Sequence, residues 1–151
     1  MKWNEKHKNL IVGAIGLLFV VLFVYTASSK LIDLELFHTR LERMPFISPY
    51  AQWISWIIPF MELVIAGLLL FKKYRHIGLY ASLVLLAMFT AYIITVLQFS
   101  DHVPCSCGGV LSAMGWDDHI LFNGFFMALA LTAINLNIKQ TKSANDIQNT
   151  T

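Results

Sequence analysis

Leu83-Val84-Leu85-Leu86-Ala87-Met88-Phe89 decides the fold. A helix in a water-soluble bundle carries a polar face at helical period, and this stretch has none. Reading outward, the apolar run extends from Ile77 to Phe99. That is enough to cross a hydrocarbon core of roughly 30 Å, which needs about 20 helical residues. Leu10 to Ser28, Trp53 to Phe71 and His119 to Ile138 have the same character. Composition agrees: 57% of the 151 residues are hydrophobic, 13% are charged and the mean hydropathy is +0.63, outside the range of ordinary soluble domains. The expected fold is all-α. A single four-transmembrane-helix bundle occupies residues 1–140, and 141–151 form a loose polar tail.

Basic residues accumulate on the cytoplasmic side of short loops. Lys2, Lys6 and Lys8 lead the chain; Lys72, Lys73 and Arg75 lie between the second and third spans; Lys139 and Lys142 follow the fourth. These regions share one side, so both termini are expected in the cytoplasm. On the other side Lys30, Arg40 and Arg43 are balanced by Asp33, Glu35 and Glu42, and Ser100 to Asp118 holds no basic residue. The first span follows a basic leader and ends in Thr26-Ala27-Ser28-Ser29, as a secretory signal does. Its apolar run exceeds a usual signal core, which makes it a true first helix. The net charge of +2 is explained by orientation and anionic lipid, and implies no nucleic-acid partner.

Between the first two spans, Leu31, Leu34, Phe37, Leu41 and Met44 recur at three- and four-residue spacing. This predicts an amphipathic helix over Lys30 to Met44, stopped by Pro45. It lies along the outer membrane surface or packs over the bundle. The second outer loop, Ser100 to Asp118, carries Pro104, Gly108, Gly109 and Gly115 and favours turns. Asp117 is the expected N-cap of the fourth span, with His119 in its first turn.

That loop also holds the only two cysteines, in Cys105-Ser106-Cys107-Gly108-Gly109. A bridge across one intervening residue requires a sharp backbone bend, because disulfides need Cα atoms about 4.4–6.8 Å apart. So small a ring stores strain, and strained, exposed disulfides exchange readily. Outside the cytoplasm an exchange-active pair is the favoured reading, since closing so short a loop removes little entropy from the unfolded chain. His102 and His119 flank the pair, where either can take or give a proton during thiolate formation; taken alone, each also reads as an interfacial structural residue, and that is the more frequent role. Two thiolates with Met114 and a histidine also suit Cu(I), although no second cysteine pair or Met-rich run accompanies them. Metal handling stays a third reading, with no ligand set assigned.

Glu62 lies near the middle of the second span, three residues after Pro59. A carboxylate at that depth must be protonated, paired or wetted, and marks a functional candidate. Tyr92 and Asn123 are expected to approach it, and Lys30 to snorkel or pair with it. One reading is an interhelical polar lock. The other is a proton or quinone site, with Lys30, Glu62, Tyr92, Trp116 and Asn123 as cofactor-binding candidates. Trp53, Trp56 and Trp116 fall where interface anchors belong.

The combined pattern resembles the MauE and DoxX-like family of small four-helix membrane proteins. The matching residues are Ser29-Lys30-Leu31 with Asp33, Pro59 with Glu62 and Gly67, Phe89 with Tyr92, then Cys105-Ser106-Cys107-Gly108-Gly109, Trp116, His119 and Asn123, across about residues 10–138. The resemblance implies a multi-pass protein of the bacterial inner membrane that supports disulfide formation in an exported, periplasmic partner. Cys105 and Cys107 carry that role most directly. Quinone-linked enzymes of the DsbB and vitamin K epoxide reductase types relay electrons between two cysteine pairs, whereas this chain has one. A quinone or a second protein would have to reoxidise it. The leading expectation is a thiol–disulfide redox protein or maturation factor with Cys105, Cys107, His119 and His102 as catalytic candidates. Its rival is a non-enzymatic subunit or assembly factor that docks through its outer loops, within a membrane-protein complex or homo-oligomer.

Overall fold

The computed structural model describes residues 5–99 and 115–148, with side chains for 6–99, 115 and 117–138. Five α-helices follow one another: α1 (Glu5–Ile32), α2 (Leu34–Glu42), α3 (Ala51–Leu70), α4 (Arg75–Phe99) and α5 (Trp116–Gln148), with a 3₁₀ turn, Ser48–Tyr50, before α3. No strand occurs among the described residues. Helices α1, α3, α4 and α5 are each long and apolar enough to cross a membrane. Only 33–39% of each span is buried inside the bundle, so most of the apolar surface faces outward. Water does not tolerate that arrangement over four helices; hydrocarbon does.

The spanning helices form a ring, α1 against α3, α3 against α4, α4 against α5, and α5 back against α1. Toward the end that carries both termini the ring is filled by side chains. Phe19 is fully buried, its centroid 5.3 Å from that of Phe126 in an edge-on contact, and Ile65, Leu69, Leu79 and Ala130 complete the plug. Gly78 permits the tight α3–α4 approach, because a Cβ there would lie 2.8 Å from Leu69 Cγ and 3.1 Å from Leu69 N.

Several helix ends differ from the sequence expectation. α1 continues past Ser28 to Ile32, since small polar residues do not break a helix that already has its hydrogen bonds. The expected amphipathic helix is cut at Asp33, whose φ of −112° and ψ of 51° leave the helical region. Lys30 to Ile32 thereby join α1. Phe37, Leu41 and Met44 turn inward with Ala51, against Ile54, Ile58 and Tyr92, so α2 packs over the bundle. After Pro45 the chain reverses through Phe46, whose φ of 68° is unusual for a residue with a side chain. α5 begins at Trp116 instead of after an Asp117 cap, which sets Asp117 and Asp118 in its first turn, where carboxylates complement the helix dipole.

Candidate functional site

Above the aromatic plug, toward α2, the ring is not filled. A cavity of about 90 Å³ opens between the spanning helices, with α2 across it. Its walls are mostly apolar, and its polar groups come from each spanning helix. On α1, Thr26 and Lys30 stand one turn apart on the buried face. The Thr26 hydroxyl donates to the Phe23 carbonyl at 3.2 Å, and Lys30 Nζ lies 3.5 Å from the Thr26 carbonyl. On α3, Glu62 follows Ser55 and Pro59 along the inward stripe.

These two helices bring opposite charges together. Lys30 Nζ donates to Glu62 Oε1 at 2.7 Å, and each side chain is only 4% accessible. The ammonium also lies 5.9 Å from the centre of the Phe37 ring, within cation–π range. α2 therefore screens the pair as well as roofing the cavity. Glu62 Oε2 is buried and has no hydrogen-bond partner among the described residues. A pair so placed is costly to break, because either partner alone is a bare charge out of water.

The other two spans add neutral polar groups. Asn123 Nδ2 donates to Thr90 Oγ1 at 3.2 Å, and Thr90 donates in turn to the Leu86 carbonyl at 2.8 Å. Tyr92 donates its hydroxyl to the Pro45 carbonyl at 2.9 Å, tying α4 to the turn after α2. His119 is 3% exposed in the first turn of α5, its backbone N–H donating to the Gly115 carbonyl at 3.0 Å.

Lys30, Glu62, Tyr92, Asn123 and His119 thus line one cavity. Lys30 is the direct partner of Glu62, while Tyr92 and Asn123 share the cavity and donate to the Pro45 carbonyl and Thr90 Oγ1 instead. Trp116 opens α5, and its side chain lies outside the described part, as do His102, Cys105 and Cys107 altogether. Trp53 and Trp56 are 72% and 59% exposed on the outward face of α3, where lipid contact is expected. Sequence reasoning missed Thr26 and Thr90 as site residues. Each lies within a helical turn of a residue it did select, and that was the available signal.

The family model described as methylamine utilisation protein MauE matches residues 8–136. The chain belongs to the MauE family. The match takes in all but the outermost two residues of the first and fourth spans, the whole of the other two, α2, the cavity-lining residues and both cysteines. Neither the curated proteins nor the solved structures contain a match to the chain. Its four apolar helices and its MauE membership together make it a multi-pass membrane protein.

Proposed function

We propose that this MauE-family protein is a membrane thiol–disulfide redox protein in the maturation of an exported partner, with Cys105 and Cys107 as the exchanging pair. One observation carries the reading: the two helices that flank the cysteine segment both line the cavity, α4 in its last turn and α5 in its first. Val96 lines the cavity in the last turn of α4, and His119 lines it in the first turn of α5. Cys105 follows Phe99 by six residues, so the covalent chain sets an upper bound of roughly 22 Å on its distance from the end of α4. The charge asymmetry of the loops supports an inner-membrane protein with cytoplasmic termini and this loop outside, where thiols oxidise.

The chemistry is thiol–disulfide exchange. A partner thiolate attacks one sulfur of the Cys105–Cys107 bridge, forming a mixed disulfide and freeing the other sulfur as thiolate. A second partner thiolate then completes the partner's disulfide and leaves Cys105 and Cys107 reduced. His119 and His102 are the nearby proton carriers. Two electrons reach the pair in each round, so a two-electron acceptor must restore it.

Cysteine trapping tests the reading. A Cys105→Ser or Cys107→Ser variant in the native host accumulates a mixed disulfide with an exported protein. Absence of that adduct from both single variants sinks the proposal. If the double Cys→Ser variant matures the partner normally, the loop acts by docking instead.

A further inference from the structure

We infer that the α2-roofed cavity binds a membrane quinone, with the Lys30–Glu62 pair as its polar contact; this rests on the thiol–disulfide reading for the source of its electrons. The cavity asks for a ligand of mixed character. Phe23, Ile58, Leu86, Phe89 and Phe122 supply apolar wall, against which water finds no hydrogen-bond partner. On a scale where one water needs roughly 10–15 Å³, about 90 Å³ accommodates a body several waters in size, the scale of one substituted ring. An acyl chain would satisfy the walls and leave the charges unused.

The ion pair suits both redox states of such a ring. An ammonium has three N–H donors. Lys30 gives one to Glu62 Oε1, and the others meet only a long 3.5 Å contact to the Thr26 carbonyl and the face of the Phe37 ring at 5.9 Å, both weaker than a bond to a ring carbonyl. A donor is thus available to a ring carbonyl, which can only accept. Glu62 Oε2 is buried beside it without a described partner, and a carboxylate oxygen can only accept, so it takes the hydroxyl that replaces the carbonyl after reduction. Adjacent donor and acceptor therefore fit the carbonyl form and the hydroxyl form in turn.

The electron count closes. As the Cys105–Cys107 bond forms, the two thiols give up two electrons and two protons. Both electrons and both protons end on the ring, whose two carbonyls become hydroxyls.

The test uses full-length protein in lipid nanodiscs and a photoreactive short-chain benzoquinone, with adducts located by mass spectrometry. Labelling is expected on cavity-lining stretches of α1 and α4, around Phe23–Lys30 and Leu86–Val96, and is competed by unlabelled short-chain ubiquinone. The Lys30→Met/Glu62→Met variant removes both charges together, so it leaves no bare ion, and its cavity labelling falls at least tenfold. The Cys105→Ser/Cys107→Ser variant labels like the natural chain. Labelling confined to outward residues such as Trp53 and Phe125, or undiminished in the Met/Met variant, overturns the inference. So does a cavity-bound phospholipid that quinone fails to displace. If trapping shows no mixed disulfide while cavity labelling persists, only the exchange reading fails; if exchange is intact and the cavity stays unlabelled, only the quinone site fails.

Discussion

Breaking the Lys30–Glu62 pair one charge at a time should cost far more than deleting it whole. With both side chains 4% accessible, neither Lys30→Met nor Glu62→Met lets solvent replace the lost partner. Removing one member of a buried pair typically costs about 3–5 kcal/mol. Each single variant should therefore lose that much, with Lys30→Met the clearer case because Glu62 Oε2 already has no described partner. The Lys30→Met/Glu62→Met variant replaces two charges by apolar chains of similar length. Exchanges of that kind range from neutral to about 1–4 kcal/mol stabilising. The signature is a large favourable coupling in the double-mutant cycle, beyond the roughly 0.5–3 kcal/mol common for neighbours. Denaturant unfolding in detergent, followed by helical circular dichroism, measures all four corners. A double variant as unstable as the sum of the singles would refute the reasoning, and so would a Lys30→Met protein as stable as the natural one.

Further outcomes follow from backbone and packing detail. Gly78→Ala should destabilise by about 1–3 kcal/mol through overpacking, since the new Cβ meets Leu69 side chain and backbone; Gly67→Ala, with nothing within 4 Å, should be neutral or stabilising by up to about 1 kcal/mol. Equal melting temperatures for the two variants would contradict this contrast. Phe46→Gly should stabilise by roughly 1 kcal/mol, because its φ is 68° and its ring is outward-facing; a lowered unfolding midpoint would show that the ring matters more than the backbone. Tyr92→Phe, which removes the hydrogen bond to the Pro45 carbonyl, should cost about 1 kcal/mol, and unchanged unfolding would mean that the tie between α4 and the α2 turn is not held by that bond.

The membrane bundle was legible because an apolar run such as Leu83 to Phe89 has no other stable home. The inward face of α2 was legible from the spacing of Phe37, Leu41 and Met44, but whether it met lipid or protein was not, since both are apolar. Both ends of α1 and of α5 were read too short for one physical reason: hydropathy marks where the hydrocarbon ends, whereas a helix ends only where something breaks it. No Gly or Pro occurs after Ile138 in α5, and the helix runs on to Gln148. Within the site, Glu62 and Lys30 stood out as charges out of place. Lys30 was expected either to snorkel or to pair with Glu62, and the α1–α3 contact decides for pairing; Thr90 was hidden because a threonine in an apolar helix usually bonds its own backbone, as it also does here. The cysteine segment lies outside the described residues, so its expected chemistry rests on the two thiols and on the cavity-lining helix ends that flank it.

The separation of Lys30 and Glu62 by 32 positions has a consequence for biogenesis. Chains emerge N-terminus first, so α1 meets the bilayer before its counter-ion has been made. At 28 residues and 1.5 Å per residue, α1 is about 42 Å long, against a hydrocarbon core of roughly 30 Å. Lys30, two residues from its end, can wait among the headgroups. Glu62 lies in mid-helix on α3 and has no such refuge; it arrives to find the ammonium already there. The order of synthesis matches the order in which the charges can be tolerated, and a chain permuted to begin at α3 should insert poorly even though every contact in the finished bundle is preserved.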